Sequence, residues 1–253
     1  MHSTPHGAAV RATGYGVKGP RGWAFRNIDL VAEPGSLIAV EGPSGSGRTC
    51  LLLALTGRMA SAAGTAEVAG LPLPKRTAAV RTVTALAHVP GVTELEPALT
   101  VAEHLRERTL LQRRFGGPLR ALLRPRRERT AAARARIDAA LEAAGLDLTT
   151  LPKGDRTSVR DLERPEALRL SIALALIGGP RLVAIDDTDM KLSDDERDLV
   201  WATLRALAAS GTTVLAVCSK APQGAVVVST AAREDTRDDD KEAADAFAEA
   251  GRA

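Results

Sequence analysis

Eight residues between two apolar runs constrain the fold of this chain more than any others. Gly42-Pro43-Ser44-Gly45-Ser46-Gly47-Arg48-Thr49 follows the apolar residues 37–40 and precedes a second apolar run that begins at Cys50. The first run is typical of a buried parallel strand and the second of a buried helix. A glycine-rich turn between a strand and a helix gathers backbone N–H groups and the helix N-terminus around an anion. We therefore predict a phosphate-binding loop over 42–50.

One residue of this loop departs from the usual pattern. In G-x-x-x-x-G-K-[ST], the Lys reaches the β- and γ-phosphates and the hydroxyl binds Mg²⁺. Thr49 keeps the hydroxyl, but the Lys is replaced by Arg48. A guanidinium keeps the charge, yet it is planar and bulkier than an ammonium group. We expect weakened or altered nucleotide binding rather than its loss.

A second motif begins about 140 residues later. The apolar run Leu182–Ile185 ends in Asp186 and Asp187. In phosphate-loop NTPases, an Asp at such a strand end holds Mg²⁺ together with the hydroxyl of the glycine loop. Thr49 and Asp186 are therefore the predicted Mg²⁺ ligands, and the alternative is an acidic turn between a strand and a helix.

The order of predicted elements indicates an α/β fold. Short alternating segments over 8–35 predict antiparallel strands, and strands are also predicted at 65–68, 83–89, 182–185, 212–217 and 225–228. Helices are predicted over much of 101–161, at 165–177, and after a capping box formed by Ser193 and Glu196. Strands that alternate with helices predict a mostly parallel sheet, and the helical block predicts an inserted subdomain at about 100–163. From about Thr230, a charged tail is expected to be solvated and disordered.

Composition excludes several classes of protein. With 253 residues, the chain suits one α/β domain or a domain with a subdomain. No apolar run reaches the ~18–20 residues that span a bilayer, and no signal-peptide pattern is present. Cys50 and Cys218 lie in apolar runs without metal-ligand spacing, which favours buried reduced thiols over a disulfide or a metal site. The net charge of +3 does not by itself argue for nucleic acid.

With both motifs placed, residues 8–229 resemble the ATP-binding subunit of an ABC (ATP-binding cassette) transporter. The run Ala-Leu-Ile-Gly-Gly-Pro-Arg-Leu-Val-Ala-Ile-Asp-Asp at 175–187 is similar to the segment that joins this family's signature helix to its Mg²⁺ strand. The resemblance implies ATP and Mg²⁺ as cofactors. It also implies a membrane-embedded transporter subunit as partner, and a homodimer or a heterodimer with another ATP-binding subunit. The expected location is cytoplasmic, peripheral on the inner face of the cell membrane.

Several functional positions of the family differ in this sequence. The signature Leu-Ser-Gly-Gly-Gln corresponds to Leu162-Glu163-Arg164-Pro165-Glu166, where two carboxylates face the place of a phosphate. The Gln that links metal, water and helical subdomain corresponds to Gly91. The catalytic Glu corresponds to Asp187, which is one methylene shorter and is the candidate catalytic base.

Two further family positions carry hydroxyls in this chain. The switch His corresponds to Ser219, and the Asp of the dimer-contact loop corresponds to Ser193. The family's adenine-stacking aromatic residue near the N-terminus has a candidate in Tyr15, for which an ordinary core or exposed tyrosine is the alternative. These substitutions predict impaired hydrolysis.

An arginine-rich segment over 113–127 has three interpretations. It is a solvated loop, a basic amphipathic element that contacts anionic lipid head groups, or a nucleic-acid site. Phe115 is the only aromatic residue in this segment and no recognition motif accompanies the arginines, so nucleic acid is the least favoured and no such partner is predicted.

Two functions from different classes follow from these features. The first is an ATP-binding transporter component that binds Mg-ATP with weak hydrolysis. The second is a non-catalytic scaffold or regulatory subunit that keeps the fold for its contacts. A small-molecule kinase with the same loop is disfavoured, because the helical subdomain and the 175–187 segment fit the transporter arrangement better.

Overall fold

The computed structural model describes residues 6–20, 22–115, 125–189 and 192–231. The strands are β1 (Val10–Gly19), β2 (Gly22–Ala32), β3 (Leu37–Glu41), β4 (Ala63–Val68), β5 (Leu71–Leu73), β6 (Thr84–Leu86), β7 (Leu182–Ile185), β8 (Thr213–Val217) and β9 (Val226–Ser229). The helices are α1 (Arg48–Leu55), α2 (Thr77–Val83), α3 (Val101–Phe115), α4 (Arg126–Ala144), α5 (Arg164–Leu176) and α6 (Asp194–Ala209).

The strands form two sheets. An antiparallel sheet has the order β2-β1-β4-β5, and a parallel sheet has the order β6-β7-β8-β3-β9. Central strands β7 and β8 are buried along their whole length, as continuous apolar runs predict. The predicted α/β fold, with antiparallel strands before a parallel sheet, is confirmed.

Side-chain alternation along β3 separates two cores. Ile38 and Val40 belong to the core between the parallel sheet, α1 and the antiparallel sheet. Leu37 and Ala39 belong to the core on the other face, which α5 and α6 cover. This period of two follows from the pleat of a strand that is buried on both faces.

The register of the parallel sheet brings distant loops together. Val40 on β3 pairs with Val217 on β8, and Ala216 pairs with Ile185 on β7. The carboxyl ends of these three strands therefore lie at one edge, where α/β folds bind their ligands.

Helices dominate the described part of 101–161. Besides α3 and α4, three short 3-10 helices lie at Leu148–Thr150, Gly154–Arg156 and Val159–Asp161. Residues of α4 join the core beneath α5 and α6. The subdomain bounds of 100–163 and the domain bounds of 8–229 stay predictions. Most of the arginine-rich segment 113–127 and nearly all of the tail 230–253 lie outside the described residues.

Two expectations differ from the structure. The predicted strand 83–89 is shorter, because α2 extends to Val83 and β6 covers only Thr84–Leu86. Thr230, where a solvated tail was expected to start, is buried and bonds to the glycine loop through Ser46. None of the helices in the described ranges is long and apolar enough to cross a bilayer.

We predict that Thr213 is a principal stability determinant. Its buried hydroxyl accepts hydrogen bonds from the N–H groups of Ala8 and Gly35, both at 3.0 Å, and donates one to the Ala8 carbonyl at 2.7 Å. Thr213→Val removes the partner of the Gly35 N–H and of the Ala8 carbonyl, while the Ala8 N–H keeps a 3.1 Å bond to the carbonyl of Arg181. The substitution should lower the free energy of unfolding by about 3 kcal/mol in a urea titration. Thr213→Ser keeps the hydroxyl and should cost about 1 kcal/mol. Equal losses for the two variants would contradict the hydrogen-bonding role.

Candidate functional site

The glycine-rich loop passes through a space that admits no side chain at two positions. At Gly42, with φ 154°, a Cβ would lie 2.6 Å from Thr230 Oγ1. At Gly47, with φ 84°, it would lie 2.1 Å from the carbonyl oxygen of Ala24 on β2. Gly47 caps the start of α1 in the left-handed conformation. Glycine at both positions therefore lets the loop close between β2 and the end of β9.

The two predicted metal ligands meet across the sheet edge. Thr49 Oγ1 donates a hydrogen bond of 2.5 Å to Asp186 Oδ2, although the residues are 137 positions apart. The backbone N–H of Asp187 donates to the other carboxylate oxygen, Oδ1, at 2.9 Å. Hydroxyl and carboxylate oxygens are the hard donors that Mg²⁺ prefers, so this pair fits that ion.

Burial dominates the electrostatics of Asp186. The residue is 3% exposed, and desolvation raises the pKa of its carboxyl above the ordinary value. The hydrogen bonds from Thr49 and Asp187 N–H oppose this rise, as does the charge of Arg48, while the charge of Asp187 adds to it. A bound cation would therefore relieve an unfavourable buried charge.

Arg48 is anchored to the neighbouring strand. Its Nη1 donates a hydrogen bond of 2.8 Å to the carbonyl oxygen of Cys218, directly after β8. A lysine in this loop would point at phosphates. The guanidinium has five N–H donors, so this bond leaves others for an anion.

The two cysteines are free thiols, and the predicted burial holds for Cys218 but not for Cys50. Cys218 is buried, and burial raises the pKa of its thiol to about 12, with further increases from the charges of Asp189 and Glu41. Cys50 is half-buried at the start of α1. Among the described residues, no group of three or more His, Cys, Asp or Glu side chains could hold a metal ion.

Asp187 shares its surroundings with a histidine that the sequence analysis missed. Asp187 has φ 51° and is half-buried after β7. The carbonyl of His88 accepts a hydrogen bond of 2.7 Å from Asp186 N, beside the site. Burial lowers the pKa of the His88 imidazole, as does the charge of Arg164, and the charges of Asp187, Asp186 and Glu94 oppose this shift. The available sequence signal was the place of His88 near the end of the strand predicted at 83–89.

The segment that corresponds to the signature begins α5. Glu163 is its N-cap, and the backbone N–H of Glu163 donates a hydrogen bond of 2.9 Å to the carboxylate of Glu166. Pro165 lacks an N–H group. A helix N-terminus usually attracts anions. In this chain, the carboxylates of Glu163 and Glu166 accept the hydrogen bonds at the start of α5 that an anion would otherwise accept.

The other substituted positions are held by local hydrogen bonds. The N–H of Gly91 donates to the Glu94 carboxylate at 2.7 Å in an exposed turn. The hydroxyl of Ser219 donates to Asp189 Oδ2 at 2.5 Å. Ser193 caps α6 with Glu196, which confirms the predicted capping box.

A groove of about 830 Å³ lies beside the glycine loop. Its walls are β2, the loop at 43–46 and residues 227–231 around the end of β9. Trp23 on β2 lines the groove, is 43% exposed and lies beneath the ammonium group of Lys18, 5.8 Å from the ring centroid. The groove thus joins the loop to an exposed aromatic ring.

Tyr15 does not line this groove, so its predicted role in base stacking is corrected. Its side chain is 0% exposed and packs near Phe25, with 6.0 Å between the ring centroids. Irregular pairing of β1 on both sides of Tyr15 buries this residue together with its neighbours Gly16 and Val17. The alternative of a core tyrosine is the one observed.

Comparisons with known proteins agree with this geometry. The sequence pattern of the ABC transporter family matches residues 25–189. Nod factor export ATP-binding protein I of Cupriavidus metallidurans is 32% identical over 189 residues, which is 75% of this chain and 55% of that protein. A putative ribose/galactose/methyl galactoside import ATP-binding protein 3 of Agrobacterium fabrum is 27% identical over 84% of this chain and 39% of its own length. The chain thus spans about half or less of these relatives.

Solved structures show the same fold. A dimeric ATP-binding cassette in a post-hydrolysis state, bound to ADP and Pi, superposes with a TM-score of 0.64 at 19% identity, over 83% of this chain and 88% of that one. The cbiO1 subunit of a Clostridium perfringens ABC transporter complex gives 0.67 at 16% identity, over 83% and 78%. The predicted resemblance is confirmed: the chain belongs to the ABC transporter family and has the fold of its ATP-binding cassettes.

Proposed function

We propose that this chain binds Mg-ATP as the ATP-binding component of an ABC-type membrane transporter and hydrolyses it weakly. The observation that carries the proposal is the 2.5 Å contact between Thr49 Oγ1 and Asp186 Oδ2 at the start of α1. It unites a hydroxyl, a buried carboxylate and a glycine loop, which together suit a nucleotide phosphate with its Mg²⁺. Residues 42–50 contact the phosphates, and Mg²⁺ when bound neutralises part of their charge.

Trp23 replaces Tyr15 as the proposed contact for the base. Its exposed indole lines the groove that begins at the loop. Stacking on an aromatic ring tolerates any base, because every base has a π-face. The phosphates therefore bind at the loop and the base lies toward Trp23.

The expectation of weak hydrolysis rests on the residues that match the family's catalytic and phosphate-contacting positions. Asp187 is the only family-matched candidate base, and its shorter side chain must reach a water to remove its proton. Ser219 donates its hydroxyl to Asp189 rather than toward the loop. Glu163 and Glu166 place negative charge at the start of α5, which repels the phosphates of a nucleotide on a paired subunit.

The proposed partners follow the family. A membrane-embedded subunit and a second ATP-binding subunit, identical or different, complete the transporter, with this chain peripheral on the cytoplasmic face of the membrane. Both relatives described above carry transport functions in their names, one in export and one in import. The direction of transport and the cargo are not part of this proposal.

A non-catalytic scaffold is the second candidate. Arg48 is bonded to the carbonyl of Cys218, and Glu166 already caps α5, so two anion-binding elements have partners within the chain. In this case the protein keeps the fold only for its contacts with partner proteins, and the folded protein would show no affinity for nucleotide.

Removal of the Thr49 hydroxyl should weaken Mg-ATP binding. We expect Thr49→Ala to lower the affinity for Mg-ATP about tenfold, while binding in EDTA changes little, because the hydroxyl acts through the metal. Thr49→Ser keeps the hydroxyl and should bind like the unaltered chain. Titration with a fluorescent ATP analogue measures all three proteins. Absence of affinity in each folded protein would leave only the scaffold function.

Loss of the Trp23 ring should weaken binding of the base. Trp23→Ala should lower ATP affinity about tenfold, since a stacked base contributes roughly 1–3 kcal/mol. Inorganic triphosphate, which has no base, should bind the variant normally. Tyr15→Phe is the matched control, because that ring is buried and should leave affinity unchanged. Equal sensitivity of ATP and triphosphate would contradict the stacking role.

Restoring the family residues should raise hydrolysis. The unaltered chain should release phosphate slowly from Mg-ATP, and Arg48→Lys with Asp187→Glu should increase the rate. Asp187→Asn removes the carboxylate and should abolish the remaining turnover. A colorimetric phosphate assay compares the three proteins. If the unaltered chain turned over as fast as the double variant, impaired hydrolysis would be wrong.

A further inference from the structure

Thr230 joins the end of β9 to the phosphate-binding loop. It follows the last residue of β9 directly and is only 6% exposed. Its Oγ1 lies 2.6 Å from the Oγ of Ser46, the fifth residue of the loop, although the two residues are 184 positions apart in the chain. A side chain at the end of one edge strand thus bonds to a loop that begins after β3.

The parallel sheet fixes the backbone of Thr230. Its N–H donates a hydrogen bond of 2.9 Å to the carbonyl of Glu41, the last residue of β3. Its hydroxyl lies 3.4 Å from the same carbonyl oxygen. Because a hydroxyl both donates and accepts, Thr230 can donate to Glu41 while it accepts from Ser46. The partner of Ser46 is therefore anchored to the strand from which the loop departs.

Gly42 leaves the space that this pair of hydroxyls occupies. A Cβ at Gly42 would lie 2.6 Å from Thr230 Oγ1 and 2.7 Å from Ser46 Oγ. Any side chain at this position would therefore push the two hydroxyls apart. The pair gives a reason for glycine at the first position of the loop that does not depend on a bound phosphate.

The loop between Gly42 and Ser46 is exposed to solvent. Pro43, Ser44 and Gly45 are all exposed, and a Cβ at Gly45 would meet no atom within 4 Å. Within the loop, the N–H of Ser46 donates to the carbonyl of Pro43 at 3.2 Å. Ordering an exposed segment of this kind costs conformational entropy. A bond from Ser46 to the sheet reduces the part of that cost that a ligand must meet.

Ser46 also stands directly before the anion-binding end of α1. Gly47, the next residue, is the N-cap of this helix, and the N–H of Leu51 donates to its carbonyl at 2.9 Å. A phosphate-binding loop acts through backbone N–H groups whose directions depend on the conformation of the loop. The position of Ser46 therefore sets the directions of the N–H groups on either side of it.

We propose that Thr230 is a positioning residue for the phosphate-binding loop. Its hydroxyl holds Ser46 and so orders the backbone N–H groups of 45–49 before a phosphate binds. The proposal rests on the Mg-ATP function proposed above, and it adds a residue that lies outside the pattern G-x-x-x-x-G-K-[ST]. Thr230 acts through Ser46 rather than by contact with the phosphates.

Thr230 and Trp23 should differ in which part of the nucleotide they affect. Both residues line the groove beside the loop, but Trp23 is proposed to stack on the base. Loss of the Trp23 ring should spare inorganic triphosphate, which has no base. Loss of the Thr230 hydroxyl disturbs the loop itself, so it should weaken ATP and triphosphate by the same factor.

Substitution of Thr230 on the full chain tests the positioning role. Thr230→Val keeps the shape of the side chain and removes the hydroxyl, and it should lower the affinities for Mg-ATP and for inorganic triphosphate about fivefold each. Thr230→Ser keeps the hydroxyl and should bind both within about twofold of the unaltered chain. Displacement of a fluorescent ATP analogue measures each affinity. Unchanged binding by Thr230→Val, or a loss confined to ATP, would overturn the proposal.

A double-mutant cycle shows whether Thr230 acts through Ser46. Ser46→Ala should weaken binding about fivefold, and adding Thr230→Val to it should cause less than a further twofold loss, because the two hydroxyls make one bond. Additive losses, about 25-fold for the double variant, would show that the residues act independently and would overturn the proposal.

A buried threonine away from the groove is the matched control. Thr109 on α3 is 8% exposed, and its hydroxyl donates to the carbonyl of Leu105 at 2.7 Å. Thr109→Val should change both affinities less than about twofold, since this bond lies within one helix. A loss equal to that of Thr230→Val would mean that removal of any buried hydroxyl weakens binding, which would overturn the proposal.

Hydrogen exchange of the loop separates this proposal from the nucleotide function. Without ligand, Thr230→Val should raise the exchange rate of the amides in 43–49 about fivefold by mass spectrometry, whereas Thr230→Ser and Thr109→Val should not. Faster exchange in a chain without affinity for Mg-ATP would support the positioning of the loop and refute the ATP-binding function. Mg-ATP binding that depends on Thr49, with neither affinity nor exchange altered by Thr230→Val, would refute only the positioning role.

Discussion

The parallel register of β3, β8 and β7 brings the two candidate metal ligands, Thr49 and Asp186, together. Pairing of Val40 with Val217, and of Ala216 with Ile185, ends the three strands at one edge. Thr49 then starts a helix within hydrogen-bonding distance of Asp186. A shift of one residue in either pairing would turn alternate side chains to the opposite core and separate this pair.

Much of this framework was predictable because it depends on local patterns. Continuous apolar runs indicated β3, β7 and β8, and Ser193 with Glu196 indicated the start of α6. The loop 42–49 was predictable from the spacing of its glycines. The structure adds the reason for Gly47, where a side chain would clash with the carbonyl of Ala24. The contact between Thr49 and Asp186 followed from placing both motifs on one sheet edge.

The remaining features depend on irregular pairing or on contacts between distant elements. Irregularities on either side of Tyr15 turn its ring into the core and leave Trp23 beside the groove, and alternation alone does not reveal such shifts. His88 acquires its environment from the packing of residues that are far apart in sequence, among them Arg164, Asp186 and Asp187. The bond from Arg48 to Cys218 likewise joins two loops whose proximity only the folded sheet creates.

The groove beside the loop has walls from two different sheets. β2 is the edge strand of the antiparallel sheet, and β9 is the edge strand of the parallel sheet. The width of the groove therefore depends on the angle between the sheets rather than on any single loop. A molecule that fills it bridges two layers of the fold, so its binding energy opposes their separation and adds to the cooperativity of unfolding.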